Sequence, residues 1–264
     1  MLFGLCTNMN AKDEWGVGYE QLPVLAALGF DYAEMPVVQM VAMPEEAFEK
    51  YVVKGLRESG IPCLASNNFL PATVRLTGTD ANPEAIRSYA VRALDRLAPL
   101  GVQTIVLGSA GARNLPAGFS VAEGYEQMCR ALDVIAPLAA QRGIVISLEP
   151  LNRLESNLLN EYETGLWLAQ KSGQPNVGCL VDAYHLRVGN GHLEGLIQCA
   201  PSHVHYARTL GRRLPEAPEM EDKIFFAALK AAGYEKLISL EGYAPEGLAE
   251  AAGKALAVLR ALAA

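Results

Sequence analysis

Histidine, paired cysteines, basic clusters and long apolar runs are all scarce in this chain, and each scarcity removes a class of protein. No run approaches the roughly 20 apolar residues of a membrane-spanning helix. The opening Met-Leu-Phe-Gly-Leu-Cys-Thr-Asn is too short an apolar run for a signal peptide and lacks a basic leader, which predicts a soluble, cytoplasmic protein. Five cysteines (Cys6, Cys63, Cys129, Cys179 and Cys199) are odd in number, widely spaced and without a Cys-x-x-Cys pair. They read as buried thiols, not as a disulfide framework or a zinc site. A net charge of −7 with no Lys/Arg cluster argues against a nucleic-acid partner. A Gly-x-Gly-x-x-Gly loop after the first apolar run, expected of an open doubly wound sheet, is also missing. No linker or low-complexity stretch divides the chain.

What is present is a repeating alternation of short apolar runs and longer amphipathic ones. Hydrophobic residues make up 51% and charged ones 19%, enough for a substantial core and too few charges for disorder. Strands are predicted at Leu2–Thr7, Asp31–Pro36, Pro62–Asn67, Thr104–Gly108, Val145–Glu149, Gly178–Asp182, Val204–Ala207 and Leu237–Glu241. Helices are predicted at Tyr19–Leu28, Pro44–Ser59, Asn82–Leu100, Val121–Arg142, Glu161–Lys171, Leu193–Ala200, Ile224–Ala232 and Glu246–Leu262. Five of them end on a glycine (29, 60, 101, 143 and 233), a residue suited to the left-handed C-terminal cap. Eight β-then-α units predict an α/β protein, a single (β/α)8 TIM barrel domain over residues 1–264.

Four acidic or imidazole residues close the last four apolar runs: Glu149, Asp182, His205 and Glu241, separated by 33, 23 and 36 residues. In such barrels chemistry gathers at the C-terminal ends of the strands. Residues i and i+2 of a strand face the same side, so Ser147 lies with Glu149, His203 with His205 and Ser239 with Glu241. Charged groups at the ends of buried strands are costly unless compensated. Three carboxylates and one imidazole are most simply compensated by a divalent cation that prefers oxygen ligands. The alternative is four separate buried groups, each satisfied by its own hydrogen bonds or arginine.

The surrounding residues carry a resemblance. Glu149-Pro-Leu-Asn-Arg-Leu-Glu155, Asp182-Ala-Tyr-His185, His203-Val-His205 and Ser239-Leu-Glu241 resemble the ketose (tagatose/psicose) 3-epimerase branch of the xylose-isomerase-like barrels, a superfamily of sugar phosphate isomerases and epimerases. The resemblance implies that Glu149, Asp182, His205 and Glu241 bind the metal, Mn²⁺ before Mg²⁺, Co²⁺ or Zn²⁺, and that Glu149 and Glu241 also act as catalytic acid and base. It implies that Glu155, His185 and an arginine after the seventh strand hold a sugar, and that the protein is a homodimer. The implied reaction is isomerisation or epimerisation of a keto sugar or a related polyol or phosphate, by proton transfer through a metal-stabilised cis-enediolate. One segment departs from the pattern: Tyr206-Ala-Arg-Thr-Leu-Gly-Arg212-Arg213-Leu-Pro is a residue longer than its counterpart and carries Arg208 and Leu210 where the family has an acid and an Asn.

Other residues are expected around the site. Asn68 is a candidate for a sugar-hydroxyl contact or for shaping its turn, Glu34 for a sugar-hydroxyl contact or equally for a structural role, Arg212 for the family's sugar-contacting arginine, and His203 for a packed histidine supporting His205 in preference to a fifth ligand. Arg153 is expected to pair with a carboxylate near the site. The 108–113 loop is a candidate for cradling a phosphate or is simply a turn. Arg208, Arg212 and Arg213 are candidates for binding an anion or equally for pairing with the acidic Glu216–Asp222 stretch, and Trp15 and Phe69 for an apolar wall at the mouth or for simple packing. Three other functions stay open: a metal-dependent dehydratase or lyase of a cyclic keto acid, a zinc endonuclease acting on DNA, and a sugar-binding protein with a degenerate site. With only four histidines and a −7 charge, the endonuclease is disfavoured.

Overall fold

Eight short strands lie side by side in chain order, all parallel, and close on themselves. In a computed structural model that describes Met1–Ala264 they are β1 (Leu2–Cys6), β2 (Tyr32–Pro36), β3 (Cys63–Asn67), β4 (Thr104–Leu107), β5 (Val145–Leu148), β6 (Val177–Asp182), β7 (His203–Tyr206) and β8 (Leu237–Leu240). Strands β2, β4, β7 and β8 are buried along their whole length, as parallel strands covered on both faces must be. This is the (β/α)8 barrel expected from the alternation.

Helices cover the outside where the amphipathic runs predicted them. The longest are Pro83–Leu97, Val121–Ala140 and Leu248–Ala263. Their starts follow from side chains that accept the first free N–H groups: Asn82 from Glu84 and Ala85, and Ser120 from Glu123. The predicted Pro44–Ser59 helix is broken into α, π and α turns, with the π segment at Phe48–Val53. All five predicted capping glycines have positive φ.

Alternation sorts the strand residues as expected. Leu148, Val204 and Leu240 join the apolar core under the helices. The barrel interior holds polar side chains, with the Tyr32 hydroxyl 2.7 Å from Ser239 Oγ. A Cβ at Gly4 would collide with the Tyr32 ring, so only glycine lets that ring fill the barrel floor.

Three short helices went unforeseen: Val37–Ala42, Ala110–Arg113 and Ala183–Val188. Each follows an even-numbered strand, β2, β4 or β6, on the C-terminal face. At four to six residues they show no period from which a sequence could announce them. No helix is long and apolar enough to cross a membrane.

Candidate active site

The four residues that close strands β5 to β8 converge. Glu149 and Glu241 each stand one residue past their strands, yet the ladder still holds them: the Glu149 N–H donates to Leu107 O (3.2 Å) and that of Glu241 to Tyr206 O (3.0 Å). Asp182 ends β6, and its Oδ1 accepts from the Tyr184 N–H (2.7 Å), capping the helix Ala183–Val188. His205 stands inside β7. One oxygen or nitrogen from each of Glu149, Asp182, His205 and Glu241 lies within 4.8 Å of the others, and all four residues are buried.

Space for this cluster comes from a neighbouring strand. A Cβ on Gly108 would overlap Glu149 Oε2, so the residue after β4 has to be glycine for that carboxylate to keep its place.

The geometry around His205 asks for a cation. Its Nδ1 lies 3.2 Å from Glu149 Oε1 and 3.0 Å from Glu241 Oε2, while its Nε2 is 2.9 Å from Glu34 Oε1. If the proton sits on Nε2, facing Glu34, then a lone pair and two carboxylate oxygens point at one another. That is repulsive without a positive charge among them. Counting charges gives the same answer. Glu34, Glu149, Asp182 and Glu241 are buried carboxylates, opposed by the buried Arg113 and the largely buried Arg212. Two negative charges are left over, which one divalent cation would balance, and the oxygen-rich donor set suits it.

Without such an ion a proton takes the part. Burial depresses the affinity of His205 for a proton, but Glu34 and Glu241 outweigh it and hold the imidazole well above its ordinary pKa of 6.5. For Glu241, burial acts to raise the pKa, yet Arg212 and His205 prevail and bring it down to about 2.

Around the cluster stand the residues expected to meet a substrate. Asn152 ties two of them together. The backbone N–H of Asn152 lies 3.2 Å from His185 Nδ1, and its side-chain amide is 2.8 Å from the same atom and 3.1 Å from Glu155 Oε1. A backbone N–H can only donate, so His185 Nδ1 accepts and the ring proton sits on Nε2. That nitrogen points towards Asp182 Oδ2, 3.6 Å away. His185 is therefore a buried donor on a helix, not a residue of a surface loop.

Arg212 reaches in from the seventh loop. Its guanidinium meets Asp182 Oδ2 (3.1 Å) and Glu241 Oε2, and it lies over the Tyr184 ring (4.7 Å). Left-handed backbone at both Gly211 and Arg212 turns the side chain inward. The loop is clasped by Arg208 N–H to Arg213 O (2.8 Å) and by Tyr243 N–H to Arg212 O (2.8 Å).

The other two arginines of this loop do not share that position. Arg208 is tied to the buried Asp222 (2.6 Å), and Arg213 lies outside against Glu246 (3.1 Å). A common anion site for all three does not form, because each has its own acid. Arg113 is fully buried and donates to the carbonyls of Glu149 (2.8 Å), Leu107 and Leu159, so it ties the strand ends instead of lining a phosphate loop. Arg153 pairs at the surface with Glu161, away from the cluster. Phe69 is buried in the core, whereas Trp15 packs beside Tyr51 and Tyr19. Asn68 is exposed with positive φ, while Asn67 is buried and donates to Asn8 Oδ1 (3.0 Å).

Glu34 requires a correction. Of the two roles open to it, the sugar-hydroxyl contact gives way to the structural one: it is fully buried in the barrel interior, where both oxygens are taken by His203, His205 and Ser239. Asn152 and Arg113 are organisers that the sequence does not single out; the one signal for Asn152 is its place in Glu149-Pro-Leu-Asn-Arg-Leu-Glu155.

Known proteins share this arrangement of strands and helices. The chain is 27% identical over 240 residues to a ketose 3-epimerase of Arthrobacter globiformis, covering 89% of this chain and 80% of that protein. It superposes on a crystal structure of D-psicose 3-epimerase determined with D-fructose at a TM-score of 0.87 and 21% identity, covering 100% and 99% of the two chains. A 3-keto-D-glucoside 4-epimerase from E. coli matches at a TM-score of 0.80 and 21% identity over 99% of each chain. At these identities the two structures attest to the fold. The xylose isomerase-like TIM barrel family model matches residues 22–262, nearly all of the eight β/α units, and the chain belongs to that family.

Proposed function

We propose that this protein, acting as one barrel domain, is a divalent-metal-dependent epimerase or isomerase of an unphosphorylated keto sugar. The observation that carries the reading is the convergence of Glu149, Asp182, His205 and Glu241 with two negative charges left over. These four would hold the cation, Mn²⁺ ahead of Mg²⁺, Co²⁺ or Zn²⁺, and the similarity to ketose 3-epimerases supports the substrate class. Bound there, a divalent cation supplies the Lewis acidity that makes the C–H beside a carbonyl easier to deprotonate.

Glu149 and Glu241 would move the protons. They close β5 and β8, three strands apart around the ring, and so approach a substrate over the cluster from different directions. One removes the proton from the reacting carbon and the other delivers one to its opposite face, inverting the centre. His185, with its proton on Nε2, donates to a substrate oxygen, and Glu155, held by Asn152, accepts from a hydroxyl. Arg212 adds a fixed positive charge beside the same oxygens.

Neutral sugars are favoured because the arginines of the seventh loop each have a carboxylate partner, leaving none free for a phosphate. Running the reaction in D₂O tests the proton transfer: the inverted carbon of the product should carry solvent deuterium. Full retention of the substrate's own hydrogen would remove Glu149 and Glu241 from these roles. Comparing a free ketose with its phosphate at two ionic strengths tests the substrate, with the free sugar preferred and salt of little effect.

A further inference from the structure

Below the proposed metal ligands lies a buried network that the reaction does not touch. Glu34 Oε1 is 2.9 Å from His205 Nε2, and Glu34 Oε2 is 2.8 Å from His203 Nε2. Ser239 also bonds Glu34 Oε2, and the Tyr32 hydroxyl lies 2.7 Å from Ser239 Oγ. A hydroxyl has one proton to give. Ser239 gives it to the carboxylate and accepts from Tyr32, so the chain runs from Tyr32 through Ser239 to Glu34. Every member is buried.

His203 shows which way its ring is protonated. Its Nδ1 is buried and has no partner. With the proton on Nε2, facing Glu34, the orphan is a lone pair. The opposite tautomer would bury an unpaired N–H and set a lone pair against a carboxylate, which is worse on both counts. The same carboxylate faces Nε2 of His205 and keeps a proton there, so once a cation replaces the proton between Nδ1 and the carboxylates of Glu149 and Glu241, Nδ1 is the nitrogen with the free lone pair.

We infer that Glu34 is a positioning residue: it fixes the tautomer and heading of His205 so that Nδ1 is presented to the cation, and it is held in turn by His203 and Ser239. A metal-binding histidine commonly donates its other N–H to a carboxylate, and the loss of that partner costs 10–100-fold in metal affinity. Here the carboxylate comes from β2, across the ring from the ligand-bearing strands, and a second histidine stops it from turning away. The inference rests on the proposed ligand set, and its test separates the two.

The test is titration of Mn²⁺ into metal-free protein, comparing the native chain with Glu34→Gln and Asp182→Asn, with cooperative thermal unfolding checked for each. Glu34→Gln should bind Mn²⁺ about 10- to 100-fold more weakly. A glutamine oxygen still accepts from one histidine, but its amide nitrogen cannot accept from the other. Native-like Mn²⁺ affinity in Glu34→Gln, alongside weakened affinity in Asp182→Asn, overturns the positioning role alone. Native affinity in Asp182→Asn overturns the ligand set itself. Should Glu34→Gln not fold, ¹⁵N imidazole spectra of the native protein loaded with Mg²⁺ decide the matter. Protonated Nε2 on both His203 and His205 is expected, and a proton on Nδ1 of either overturns the inference.

Discussion

The two halves of the barrel are built alike and furnished differently. Strands β5 and β8 lead into Glu149 and Glu241, β6 ends in Asp182 and β7 in Tyr206 beside His205; strands β1 to β4 lead into Thr7, Val37, Asn68 and Gly108. The second half offers all four converging donors. The first offers one carboxylate, Glu34, from beneath, together with space at Gly108. Gly108 keeps clear the volume that Glu149 occupies, and Tyr19 stacks on Tyr51 at 4.8 Å beside Trp15. The converging donors and the space one of them needs are thus divided between halves of one ring, and substitutions in the two halves should fail in different ways.

The largest effects are expected in the second half. Glu149→Gln and Glu241→Gln should each lower kcat by about 10²–10⁴, the usual worth of a positioned acid or base, with the fold intact by circular dichroism. If either variant keeps native turnover, the division of labour is wrong. Next comes Gly108→Ala, whose methyl would push Glu149 Oε2 aside. A displacement of about 1 Å costs on the order of 10²-fold, so kcat/KM should drop that far while unfolding changes much less. This would show that the first half contributes space, and a fully active alanine variant would break the comparison.

Arg208→Ala should act on stability before activity. It strips the buried Asp222 of its nearest cation, with Arg187 still 3.5 Å away, so a loss of about 2 kcal/mol in denaturant unfolding is expected.

A pH experiment probes the second half without mutation. In metal-free protein His205 binds its proton more tightly than in the unfolded chain, so its stabilisation is complete below about 6.5 and is lost as pH rises. Glu241 has the opposite sign: its contribution is complete above 4.5 and is lost as pH falls towards about 2. The metal-free Tm should be highest between these limits. Mn²⁺ should raise it most on the alkaline side, where no proton competes for His205. A metal-free Tm that climbs steadily past pH 8 would contradict the assignment. Smallest of all, Arg153→Ala and Arg213→Ala remove exposed pairs and should shift stability by less than about 0.5 kcal/mol.

The second half was also the more legible in sequence. Its donors stand where apolar runs end, and a charged residue in that place is conspicuous. All eight strands were placed to within two residues at either end, because runs of apolar residues bounded by glycine and polar turns leave few choices. Sequence cannot choose between the two roles open to Glu34, because β2 is irregular there: its pairing with β3 shifts between Ala33 and Glu34, and no one-dimensional pattern reports a carboxylate that meets two histidines 169 and 171 residues away. The arginines of the seventh loop were indistinguishable by type. Their separate fates depend on Asp222, Glu246 and Asp182, partners fixed only once the loop is clasped. His185 could be placed near Asp182, but the capped helix that buries it is too short to announce itself.

The clasp on the seventh loop also bears on how such a chain can drift. Hydrogen bonds on both flanks pin Arg212, while Leu210 at the crest is 88% exposed and holds nothing in place. Length can vary at the crest without shifting the guanidinium. Counting forward from His205 to Arg212 depends on the length of the crest, whereas counting back from Gly242, whose missing side chain makes room for Arg212 O, does not. The crest is equally a place to attach a label or a short peptide, a handle on the rim that leaves the clasped Arg212 undisturbed.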